Sequence, residues 1–178
     1  MKKSLLFVLL CTCPLFVQAQ TFFDVDGIRY MIEDNHAVIA RQDRELTGDF
    51  VIPAIVTYGD VEYNVTRLMS PDDSESGGGG AFQECEITGI SLPASITDIP
   101  NNTFQNCKQL SSVILNGPVT RIGGHAFEGC EALTTIDLPD EVTEMGDAAF
   151  QGTGLTAFTI PAGVTVLNMY VLADTKIT

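Results

Sequence analysis

With 178 residues, 45% of them hydrophobic and 18% charged, the chain is long enough for one domain and too apolar to be disordered. Nine Lys and Arg against 23 Asp and Glu give a net charge of −14, or −16 once the N-terminal Lys2 and Lys3 are set aside and seven bases remain. Such a chain repels nucleic-acid phosphates and anionic membrane surfaces, which excludes both as partner classes. Two histidines and no tryptophan leave few catalytic or stacking groups.

The N-terminus carries a basic Lys2-Lys3, an apolar run from Leu5 to Val17, and Val17-Gln18-Ala19 with small or β-branched residues at the −3 and −1 positions. Those three parts make a secretory signal over residues 1–19, with cleavage expected after Ala19. The run is shorter than the roughly 20 residues of a membrane span and contains Pro14. Leu10 and Thr12 precede Cys11 and Cys13, a poor match to a lipid-attachment box, which wants a small residue there. The expected mature chain is exported, with no membrane insertion.

Residues 20–48 read as a β cap. Strand-like Phe22–Tyr30 and Ala37–Ala40 flank the turn residues Asp34-Asn35. From residue 49 to 178 the sequence repeats itself. Ala81-Phe82-Gln83-Glu84-Cys85 returns as Thr103-Phe104-Gln105-Asn106-Cys107, Ala126-Phe127-Glu128-Gly129-Cys130 and Ala149-Phe150-Gln151-Gly152-Thr153, with phenylalanines 22, 23 and 23 residues apart. A degenerate copy is Val171-Leu172-Ala173-Asp174-Thr175. Between these marks come apolar–variable–apolar triplets closed by a breaker: Ile90-Ser91-Leu92-Pro93, Val113-Ile114-Leu115-Asn116, Ile136-Asp137-Leu138-Pro139 and Phe158-Thr159-Ile160-Pro161. Their period of two predicts short strands. A third element, Ile96-Thr97-Asp98-Ile99 and its copies at Val119, Val142 and Val164, keeps threonine at one place. The first unit, Phe50–Pro53 with Val65–Leu68, carries two nine-residue insertions. One reads as a hairpin around Tyr58-Gly59-Asp60, the other as a polar, glycine-ended loop within residues 69–80.

Units this short bury nothing alone and must stack. Phe82, Phe104, Phe127 and Phe150 are expected in one internal ladder, Leu110, Leu133 and Leu155 in another. Cys85, Cys107 and Cys130 occupy equivalent positions. Buried ladder thiols are the favoured reading, with a single disulfide as the alternative.

These motifs resemble the BspA-like leucine-rich repeats of exported Bacteroides-type proteins: A-F-x-x-C at Ala126–Cys130, L-x-x-I-x-L-P at Leu133–Pro139 and V-x-x-I-G at Val142–Gly146, with Met145 at the isoleucine place. The resemblance covers about residues 22–178. It implies a right-handed solenoid, secreted or displayed on the cell surface, in a family with some members proposed to bind host proteins or take part in adhesion. Asn116-Gly117-Pro118 in place of Leu-Pro, and Thr153 and Thr175 in place of cysteine, depart from the pattern. The expected fold is thus a strand-dominated α/β repeat solenoid: a leucine-rich-repeat coil of about five units of 22–23 residues behind an N-terminal β-hairpin cap.

Catalytic signatures are missing: there is no G-x-S-x-G, H-E-x-x-H or P-loop lysine. His125 lies five residues before Cys130, but an exposed turn position suits it better than service as a thiol's base. The histidines are too far apart for a recognisable zinc site, and Asp24/Asp26 or Asp72/Asp73/Glu75 lack the regular spacing of a calcium loop. No enzyme activity, cofactor or metal is expected, with a carboxylate-based hydrolase as a remote alternative. The favoured function is a binding module for a protein or glycan, including host extracellular matrix. Its expected contact face is the outward strand row Val51, Ser91, Ile114, Asp137 and Thr159, together with the Ser70–Gly80 loop. The alternative is a spacer or fragment of a longer surface protein. The C-terminal end, without a cap of its own, suggests end-to-end self-association.

Overall fold

The computed structural model describes residues 20–73 and 79–178. The predicted signal segment, and residues 74–78 of the predicted loop, lie outside them. Eleven strands are present among the described residues: β1 (Thr21–Val25), β2 (Ile28–Glu33), β3 (His36–Ile39), β4 (Thr47–Val51), β5 (Ile55–Tyr58), β6 (Val61–Leu68), β7 (Glu86–Leu92), β8 (Asp98–Ile99), β9 (Ser112–Leu115), β10 (Arg121–Ile122) and β11 (Glu144–Met145).

The N-terminal strands form a meander. Asp26-Gly27 and Asp34-Asn35 all take positive φ (49°, 83°, 45° and 63°), the backbone of tight hairpin turns, and Asp, Asn and Gly tolerate it best. β3 then pairs in parallel with β6, and the inserted hairpin β5–β6 completes a five-stranded sheet of order β1-β2-β3-β6-β5. The sheet curls. Phe23 of β1 reaches Tyr58 of β5 with ring centroids 4.8 Å apart and also packs on Tyr30 and Tyr63. Its opposite face buries Met31, Val38, Ala40 and Met69 as a smaller cluster.

The repeats coil in register. β4, β7 and β9 form one parallel three-stranded sheet, and β8, β10 and β11 form another. Between them the apolar positions of every unit meet inside. Phe82, Phe104, Phe127 and Phe150 are fully buried and stacked, with centroids 5.4, 5.2 and 5.2 Å apart. The next unit has Leu172 at this position, and Phe158 tilts in against Phe150 at 5.1 Å and 55°. Leu110, Leu133 and Leu155 are likewise fully buried. Each buried Phe contributes about 1.5–3 kcal/mol by area and each stacked pair adds roughly 0.5–1.5 kcal/mol.

The α component of the expected fold class is corrected. The described residues hold no α-helix, only a 3-10 turn at Pro71–Asp73. The phenylalanine-bearing segments are turns because left-handed residues bound them. Glu84, Asn106, Gly129, Gly152 and Asp174, each just before the cysteine position, have φ of 65°, 60°, 70°, 66° and 57°. From the second turn onward another such residue stands two before the ladder position: Asn102, His125, Ala148 and Tyr170. A helix cannot propagate through such residues. Alternate N–H groups instead bond the next coil: Asn102 to Gly124 O, Phe104 to Ala126 O and Asn106 to Glu128 O at 3.0, 2.8 and 2.7 Å, a pattern repeated coil by coil.

A further turn precedes these. Gln42 N donates to Ala81 O and Leu46 N to Asp43 O, which places residues 42–46 one coil ahead of Ala81–Cys85. Gln42 is buried, and its side chain is satisfied by Arg29 N, Arg29 O and Ala40 O.

Candidate functional site

Strand register fixes the expected contact row in part. Val51 pairs with Ser91, and Ser91 with Ile114, so the three stand side by side on one face. Side chains alternate along a strand, so the neighbours Ile90 and Val113 point inward and are buried while this row faces out. Val51 is 81% and Ile114 52% exposed, on β4 and β9 to either side of Ser91 on β7.

Asp137 and Thr159 are exposed at the equivalent repeat positions, but the strands expected at 136–138 and 158–160 are not formed. Propensity does not explain the difference, because β-branched residues are frequent there. Bonding does. The coils are pinned at the turns, whereas among the described residues no backbone hydrogen bond joins 112–115 to 135–138; the row resumes only at Thr156 N to Thr134 O. Asn116 bonds backward instead, its side-chain amide donating to Ser91 Oγ and Leu92 O at 3.0 and 2.8 Å. A groove of about 490 Å³ opens between the two coils, lined by Leu115, Asn116, Pro118, Asp137, Leu138 and Glu141 among others.

Two polar ladders escaped the sequence reading. Gln83 Nε2 donates to Gln105 Oε1, and Gln105 Nε2 to Glu128 Oε2, both at 2.6 Å. On the second sheet Arg121 bridges Asp98 at 3.1 Å and Glu144 at 3.5 Å, and also donates to Asn101 Oδ1. The signal for both was present: each set holds one repeat position. Beside the second ladder, Thr120 and Thr143 each direct N–H and Oγ1 at the carbonyl of the threonine one coil earlier. A cleft of about 260 Å³ between Arg67 and Arg121 has both of its guanidinium groups paired already, Arg67 with Glu33 and Arg121 with Asp98.

Among the described residues the cysteines are Cys85, Cys107 and Cys130, and all three are free and buried. Cys107 Sγ donates to Phe82 O at 2.9 Å and Cys130 Sγ to Phe104 O at 3.2 Å, each one coil back, and Cys85 Sγ donates to Asp43 O at 3.3 Å. Thr153 and Thr175 turn to the carbonyl three residues earlier in their own coil. Burial pushes the Cys85 and Cys107 thiols up to about 12 and raises that of Cys130 as well, which makes them poor nucleophiles. His125 Nδ1 sits 2.9 Å from Glu128 Oε2, not beside a thiol. Asp24 pairs with Arg29 at 3.2 Å. Among the described residues no three His, Cys, Asp or Glu converge on a metal position, and no helix is long and apolar enough to cross a membrane.

A family model described as BspA type leucine-rich repeat region matches residues 61–178 in six copies. A leucine-rich repeat protein from Bacteroides ovatus is 32% identical, with a TM-score of 0.67 over 82% of this chain and 37% of that one. Another, from Bacteroides capillosus, is 28% identical, with a TM-score of 0.58 over 83% and 97%. The leucine-rich repeat protein of T. pallidum, 20% identical, shares the fold, with a TM-score of 0.69 over 88% and 69%. The chain thus spans little more than a third of the B. ovatus protein. No curated protein matches it.

Proposed function

Because the chain belongs to the BspA-type leucine-rich repeat family, we propose that it is a non-enzymatic binding module, secreted or held at the cell surface, that engages a protein or glycan such as host extracellular matrix through the outward row Val51–Ser91–Ile114 and its continuation at Asp137 and Thr159. The observation that carries this reading is the exposure of Val51 and Ile114 at 81% and 52% on β4 and β9, in register on either side of Ser91 on β7. Interior positions of the same strands are tightly filled, so packing does not require apolar residues outside. Removing such a face from water on association is favourable by about 25 cal/mol per Å². The β1–β3 meander and residues 42–46 serve in this reading as the end cap that a stack of coils needs. The basic N-terminus with its apolar run supports export.

The test is a binding screen of the full chain against immobilised matrix proteins, mucins and glycans at ~0.15 M salt. Saturable binding weakened about tenfold or more by Val51→Ala with Ile114→Ala is expected. No binding above that of a chain with the whole outward row replaced by serine overturns the reading and favours a spacer.

A further inference from the structure

We infer that the groove between Leu115–Pro118 and Asp137–Glu141 is a docking site for an extended peptide that alternates basic and apolar side chains. This deepens the binding-module reading and rests on it. Three observations converge. First, β9 is paired on one side only, with β7, and the segment 135–138 alongside it forms no ladder. The outer-edge N–H and C=O groups of β9 and those of 135–138 therefore make no ladder with each other, although the same two coils are bonded at the turns. An extended chain recognises such an edge with its own backbone, the mode called strand addition. Second, the groove measures about 490 Å³, within the roughly 300–1,000 Å³ of ordinary ligand sites, and Leu115 and Leu138 lie half-buried in its wall. Third, its charge has one sign. Asp137 and Glu141 line it, no lining residue is basic, and neither carboxylate is in an ion pair.

That third point sets what the groove can pair with. Five of the seven bases among the described residues are already matched: Arg29 with Asp24, Arg44 with Glu84, Arg67 with Glu33, Lys108 with Glu131, Arg121 with Asp98 and Glu144; the other two, Arg41 and Lys176, do not line the groove. The lining thus supplies no partner for Asp137 and Glu141, and a Lys or Arg from outside provides one. The apolar side chains of the same peptide face Leu115 and Leu138. An acidic or neutral peptide gains the backbone bonds but not the charge pairing, and is rejected by repulsion or bound weakly. The departure of Asn116-Gly117-Pro118 from the repeat pattern builds the site. Asn116 is turned back to Ser91 and Leu92, and a Cβ at Gly117 would stand 2.5 Å from Ile96 O. The wall is held open by bonding to the preceding coil.

The experiment is fluorescence polarisation of a labelled hexapeptide alternating lysine and leucine, titrated with the full chain at low and at ~0.15 M salt. The expected result is saturable binding, at least about tenfold weaker in Asp137→Asn/Glu141→Gln, weakened by salt, and about tenfold or more in favour of lysine over the glutamate counterpart. The two replacements are isosteric and exposed, so folding is retained, which circular dichroism checks. Val166→Ala, at an exposed residue outside both the groove and the outward row, is expected to leave peptide binding within about twofold. Equal binding of the lysine and glutamate peptides, no binding of either, or no effect of Asp137→Asn/Glu141→Gln overturns the groove. Matrix binding lost in Val51→Ala with Ile114→Ala but kept in Asp137→Asn/Glu141→Gln would do so while leaving the outward face intact. The reverse pattern would remove the face and keep the groove.

Discussion

The turn row and the outward strand row of one coil pack the same core, yet they are fastened differently. At the turns, alternate N–H groups bond the next coil, phenylalanines stack 5.2–5.4 Å apart, and cysteine thiols tie to the preceding coil. In the strand row the parallel sheet ends at β9, and beyond it residues 135–138 and 157–160 form no strand. The difference teaches where a solenoid puts its stability and where it leaves surface free. The turns need identical residues coil after coil, because a ladder accepts only one shape. The outward row is released from that demand, and Val51, Ser91, Ile114, Asp137 and Thr159 share no chemistry.

If the turns carry the fold, damage there dominates. Phe127→Ala removes an inner ring of the ladder, one with a neighbour on each side, and urea unfolding should register a loss of about 3–5 kcal/mol. Gly146→Ala comes next. Its Cβ would run into the backbone of Gly124 one coil back, so about 1–3 kcal/mol of overpacking is expected in the same assay.

Alkali offers a milder test. An unfolded thiol ionises near 9.0, while the buried Cys85 and Cys107 keep their protons to about 12, because burial disfavours the thiolate. Between those values the unfolded chain sheds protons that the folded chain holds, so stability is full below pH 9 and falls as pH rises through that window. Denaturation midpoints from pH 8 to 10.5 should show the decline, and replacing Cys85, Cys107 and Cys130 by alanine should flatten it. A decline of unchanged slope would place its cause elsewhere.

Ala148 sharpens the comparison further. It holds a left-handed φ of 54° in the turn row, where glycine is at ease, so Ala148→Gly should be neutral or stabilising by up to about 1 kcal/mol. Asp137→Thr on the outward row is the smallest change, expected within about 0.5 kcal/mol by thermal melting.

Most of the turn row was legible in the sequence. Phe82, Phe104, Phe127 and Phe150 repeat at near-constant spacing, and a ladder requires that. The hairpin at Tyr58-Gly59-Asp60 was legible from its turn chemistry, and it forms between β5 and β6. The missing strands at 136–138 and 158–160 were not. Their residues suit a strand, and pairing is lost through coil separation, a property of neighbours that no local pattern encodes. The turn at 42–46 escaped because Gln42-Asp43-Arg44-Glu45-Leu46 has neither the phenylalanine nor the cysteine of the later copies; only its backbone bonds reveal it. For the candidate site, the outward row followed from period-two alternation, whereas the groove beside Asp137 depends on where Asn116 sends its hydrogen bonds.

Native-state amide hydrogen exchange tests the contrast between the rows most directly. Protection of Phe104, Asn106, Phe127 and Gly129 is expected to exceed that of Ile136, Leu138, Phe158 and Ile160 by about a hundredfold or more, because the first set opens only with the coils and the second has no ladder to break. Equal protection in the two sets would mean that the strand row is bonded through those coils after all, and the account of a pinned turn and an open groove would be wrong.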